Sequence, residues 1–106
     1  MEYGEFRERV LRQVDEAVED GVPVLFDAAS STWTRGALRV TLTPASDGRT
    51  VVASRAAVDL FRVGNTLGMR QDLDEDGLAE CVSIIAAWLN NPKLYTDPGP
   101  PPKQPG

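Results

Sequence analysis

Histidine is absent from these 106 residues, cysteine occurs once, and aromatic residues make up only 7%. Each shortage excludes something. Without histidine the chain alone cannot assemble a Ser-His-Asp or Cys-His nucleophile system. The histidine-containing zinc sites are excluded for the same reason. Cys81, as the single thiol, cannot form an intramolecular disulfide or a cysteine-based metal site. One thiol suits a reducing compartment. The remaining acid–base candidates are carboxylates, lysine, tyrosine and Cys81. The reading therefore leans away from catalysis, and no cofactor is expected.

Long apolar runs are missing as well. Residues 1–8 are acidic and lack the apolar core of a secretory leader. The longest apolar stretch, near residues 84–89, is far too short to span a bilayer. The expectation is a cytoplasmic chain without membrane contact. Lysine is scarce beside Arg, Ala, Val, Asp and Gly, which suits a GC-rich bacterial source.

What is present is a balanced globular composition, 42% hydrophobic and 25% charged, and a length that predicts one domain. The net charge of −5 argues against nucleic-acid binding, which depends on neutralising phosphates with Lys and Arg. The charge is unevenly spread. Residues 1–20 carry seven acids and three bases, and residues 21–71 carry three acids and six arginines. Residues 72–80 carry five acids and no base. Two acidic terminal elements thus flank a basic middle.

The spacing predicts a helix over residues 3–20. Tyr3, Phe6, Val10, Val14 and Ala17 recur at helical steps, with Leu11 and Val18 beside them. Gly21 and Pro23 mark its end. Residues 22–27 read as a strand with Pro23 at its edge. Residues 33–43 read as another, whose core, 38–43, alternates strictly, with Leu38, Val40 and Leu42 inward and Arg39, Thr41 and Thr43 outward. A turn through Asp47-Gly48 returns residues 49–54 as its antiparallel partner. Residues 55–71 suit either strand or a two-turn helix. The β-branched and aromatic residues within 57–63 favour strand, with Gly64-Asn65 as a turn into 66–71. A second helix is predicted over 75–89, with Leu78, Cys81, Val82, Ile85, Trp88 and Leu89 on one face. Residues 1–96 form the expected domain, and 97–106 a proline-rich disordered tail. The expected fold is α+β, a two-layer sandwich with N- and C-terminal helices packed on a mostly antiparallel sheet of three to five strands.

Four constellations invite a functional reading. Asp72, Asp74 and Asp76, followed by Gly77, match the first half of a calcium loop. The closing position is Ser83 instead of glutamate, so the cage is incomplete. The same acids, with Glu75, suit a helix N-terminus or an acidic patch for a basic partner. Trp33 and Arg35, following the small-residue connector 28–31, are residue types favoured as interface anchors if exposed; the other reading is that Trp33 starts a strand and covers one end of the core. Arg39 and Arg62 could present guanidinium groups to an anion. Cys81, on an apolar helix face, reads as a buried structural thiol.

In size, acidity and two-layer pattern the chain resembles small bacterial immunity and secretion-chaperone proteins. That resemblance implies a non-catalytic module that binds and masks a specific protein partner, a basic one where the acidic elements make the contact. Trp33, Arg35, Asp72, Asp74, Glu75 and Asp76 would make the contacts. A second reading is a small-ligand-binding or enzyme domain in which Arg39 or Arg62 holds an anion between helix and sheet. A third is a calcium-binding module on Asp72, Asp74 and Asp76. An exposed edge strand would also offer a route to a homodimer.

Overall fold

The first helix forms where the apolar stripe lies. α1 spans Tyr3–Ala17 and buries Phe6, Val10 and Val14, with Tyr3, Leu11 and Val18 partly buried beside them. The chain was analysed as a computed structural model, which describes residues 1–58 and 63–91. Residues 59–62, with Arg62 among them, and residues 92–106, with the proline-rich segment 97–106, lie outside the described residues. α1 stops three residues short of the expected boundary, and Ala17 is exposed. Its last turn has no base, and Asp15, Glu16, Glu19 and Asp20 are acids facing the negative end of the helix dipole. A turn follows at once, with the Val22 amide donating to the Glu19 carbonyl at 3.2 Å.

Five strands then follow as a meander. They are β1 (Leu25–Asp27), β2 (Thr32–Arg35), β3 (Leu38–Pro44), β4 (Thr50–Val58) and β5 (Val63–Asp72). They lie in the order β1-β2-β3-β4-β5, each antiparallel to its neighbour. The segment 33–43, expected as one strand, is a hairpin. Arg35 pairs with Leu38, leaving Gly36-Ala37 as a two-residue loop. Gly36 has φ 60, while Ala37 is not among the positive-φ residues. That is the type II′ pattern, whose first central position favours glycine and whose twist suits a hairpin.

Residues 55–58 and 63–71 are strand, as the β-branched content suggested. The boundaries differ from expectation. β4 runs on to Val58, and Gly64-Asn65 lies inside β5 instead of forming a turn. The reason is the partner strand: Leu38 at the start of β3 pairs with Ala57, so β4 must extend that far to satisfy β3's backbone. β4 and β5 meet again at Val58 and Val63.

The last element, α2, spans Glu75–Asn90 and buries Leu78, Cys81, Ile85, Trp88 and Leu89. Val82 is partly buried against the same core. On the sheet side the core consists of Trp33, Leu38, Val40, Leu42, Val51 and Ala53. β3 shows the expected alternation, with Leu38, Val40 and Leu42 buried and Arg39 and Thr43 exposed. Fully burying a side chain such as Phe6 or Leu42 contributes about 2–3 kcal/mol. The result is an α+β fold, two helices on one face of a five-stranded open antiparallel sheet. Among the described residues no helix lies across the other face, which carries Thr32, Thr34, Arg39, Thr41, Thr43 and Ser54. No helix of the described residues is long and apolar enough to cross a membrane.

The helices are tied at both ends. Arg9 of α1 reaches Glu75 at the start of α2. At the other end, the Asn90 amide group donates to the Ala17 carbonyl at 3.1 Å, and its oxygen accepts from the Glu19 amide at 2.8 Å. The two helices therefore run side by side in the same direction.

Candidate functional site

The acidic run 72–76 is largely occupied with structural work. Asp72 ends β5, opposite Thr50. Asp74 is the N-cap of α2, its carboxylate accepting from the Gly77 amide at 2.7 Å. That satisfies one of the free amides of the first turn. Glu75 accepts two hydrogen bonds from Arg9, at 2.6 and 2.8 Å. This bidentate contact holds its carboxyl below the usual range. Asp76 is exposed. Among the described residues no group of three or more acids, cysteines or histidines is arranged to hold a metal ion. Gly77, the glycine of the calcium-loop pattern, serves another purpose. A Cβ placed there would stand 1.9 Å from the Asp72 carbonyl oxygen. The end of β5 packs directly on the backbone of α2, and only glycine leaves room.

The two expected anchors of the connector turn inward. Trp33 lies in β2, 4% exposed, and its ring packs on Phe26 with centroids 5.0 Å apart. Its register opposite Val40 places it on the helix-facing side of the sheet. Residues 32–35 are strand, so Trp33 covers part of the core, the alternative to an exposed anchor. Arg35 Nη1 donates to the Leu89 carbonyl. α2 has no base in its own last turn, and Arg35 supplies the favourable cation from β2. Arg39 is exposed on the open face of the sheet, not between helix and sheet. Arg62 lies outside the described residues. Cys81 is buried, and desolvation, with Glu80 adding to it, pushes its thiol up to about 12. Such a thiol is a packing group and a poor nucleophile.

What these residues do not form is found elsewhere, between α1 and β1. The Asp20-Gly21 turn and Pro23 carry the chain away from α1 before it enters the sheet, so the two elements diverge. Between them opens a cleft of about 650 Å³. Its lining is more polar than apolar in exposed area, and its apolar members are Leu11 and Val14 from α1, Val18 just past the end of that helix, and Val24, Phe26 and Trp33 from the sheet side. Its rim carries four carboxylates, Glu8, Asp15, Glu19 and Asp20, and one guanidinium, Arg12. Arg7 lies beside one end. Its Nε donates to Ser31 Oγ at 2.8 Å, its Nη2 donates to the Ala28 carbonyl at 2.8 Å, and its guanidinium stands 6.0 Å from the centre of the Phe26 ring.

β1 is three residues long and forms one edge of the sheet. It is also where exposed apolar side chains gather. Leu25 is 75% exposed on the open face, and Phe26 is 39% exposed on the cleft side. Sequence reasoning missed this site. The run 22–27 reads as a strand with Pro23 at a strand end or sheet edge, and β1 is an edge strand. Nothing in that spacing showed that α1 would leave a cleft beside the edge.

Comparison of the chain with protein-family models, with curated proteins and with solved structures found no match.

Proposed function

We propose that this chain is a non-catalytic interaction module that binds and masks a specific protein partner in the cytoplasm, in the manner of a bacterial immunity protein or secretion chaperone. The observation that carries this reading is the cleft between α1 and β1. Its exposed lining is more polar than apolar, with carboxylates prominent, but it presents Leu11, Val18, Val24 and Phe26, and it is bordered by an edge strand whose Leu25 and Phe26 meet solvent. Covering such side chains stabilises a complex by up to about 1.5–3 kcal/mol each. Aromatic side chains that reach solvent beside a cleft are common centres of binding energy. Arg39, on the opposite face of the sheet, gives no support to an anion pocket beside the helices.

Affinity-tagged chain, purified from its source cells after crosslinking, tests the proposal. The expected result is one protein captured in near-stoichiometric yield, with crosslinks to residues lining the cleft. Phe26→Asp should lose that capture while keeping its circular dichroism spectrum. Crosslinks confined to the open sheet face, or full capture by Phe26→Asp, would overturn it.

A further inference from the structure

The cleft specifies more than a greasy contact. Its rim holds four carboxylates against one guanidinium. Of these, Glu8 lies 3.8 Å from Arg7. Among the described residues, Asp15, Glu19 and Asp20 have no salt bridge, while Arg7 is turned to Ser31 and Ala28. An apolar partner segment alone would fill the walls and leave this negative rim unmatched. A second copy of this chain would bring acids to acids, since its net charge is −5. Rim charges govern encounter and partner choice through complementarity, and like charges brought together across an interface are unfavourable.

We infer that the α1–β1 cleft takes a partner segment in which an apolar side chain is flanked by lysine or arginine, the apolar group seated against Val24 and Phe26 and the cations over Asp15, Glu19 and Asp20. This rests on the partner-binding reading and adds the chemistry of the segment that docks. The rim steers and selects, and the apolar wall holds. Binding is therefore salt-sensitive in its association rate and depends on Phe26 in its dissociation rate.

Three short fluorescein-labelled peptides test this against the intact chain by fluorescence anisotropy. One alternates valine with lysine, one valine with glutamate, and one threonine with lysine. The valine–lysine peptide should bind, and the other two at least about tenfold more weakly. The double variant Asp15→Lys, Glu19→Lys changes only exposed side chains. It should weaken the valine–lysine peptide about tenfold, the effect of two rim charges reversed, and improve the valine–glutamate peptide. Equal binding of valine–lysine and threonine–lysine peptides would reduce the effect to bulk charge and overturn the inference. So would rim reversal that leaves valine–lysine binding unchanged. Loss of partner capture in Phe26→Asp with full capture by the rim-reversed variant would also overturn it, while the partner-binding proposal would stand.

Discussion

Replacing Gly77 by alanine sets two physical effects against each other, and the structure decides the sign. Helix propensity favours the change, by at most about 1 kcal/mol in a helix interior. Packing opposes it. The new Cβ would lie 1.9 Å from the Asp72 carbonyl oxygen, 2.9 Å from its carbon and 3.0 Å from its nitrogen. All three are backbone atoms, so no side chain can swing away. Either α2 or the end of β5 must retreat by about an ångström, because contacts under 3.0 Å are not sustained. Several tethers are spoiled by that movement. They are the Asp74 cap on Gly77, the Leu73 amide bond to Arg49 at 3.2 Å and the Met1 bond to Leu73. A lost cap costs about 1 kcal/mol, and overpacking against fixed backbone costs about 1–3 kcal/mol. The expected net loss is about 2–3 kcal/mol, a fall in melting temperature of about 10–20 °C. Urea and thermal unfolding followed by circular dichroism measure it. Gly4→Ala in α1 is the matched control, because a Cβ there meets nothing within 4 Å and should be neutral or slightly stabilising. If Gly77→Ala is as stable as the parent chain, the close approach of β5 to α2 is wrong.

Three further outcomes follow from the same contacts. Cys81, with its thiol pushed up to about 12 by burial, should react with a disulfide reagent at pH 8 at least about a thousandfold more slowly than a free thiol, and prompt labelling of the native chain would contradict its burial. Asn90→Ala removes both hydrogen bonds that close the end of α1. It should cost about 1 kcal/mol and speed amide hydrogen exchange around residue 19, whereas unchanged exchange there would count against the tether. The Glu75 carboxyl is held below its usual range by Arg9. Its stabilising effect is thus complete above the unfolded pKa of about 4.3 and is lost as pH falls through the lower folded value. Glu75→Gln should flatten the acid side of the stability profile below about pH 5, and a profile parallel to the parent's would refute the pairing.

The helices and the α+β class were legible because periodicity records which side of an element meets the core. Phe6, Val10 and Val14 in α1, and Leu78, Cys81 and Ile85 in α2, are buried as their spacing implied. The alternation of Leu38, Val40 and Leu42 marked β3 equally well. Element boundaries were less legible, because they depend on partners. β4 extends to Val58 because β3 needs it, and α1 ends at Ala17 where Asn90, far along the chain, receives its last groups. The fates of individual charged and aromatic residues needed the tertiary structure. Asp74 was legible as a helix cap, and it caps Gly77, but the pairing of Glu75 with Arg9, 66 residues away, was not legible. Trp33 looks like an anchor until its register with Val40 turns it into the core. Phe26, singled out by no motif, becomes the exposed aromatic because β1 is an edge that α1 leaves partly uncovered. Local spacing determined what each segment would become, and long-range packing decided which side chains were left over for a partner.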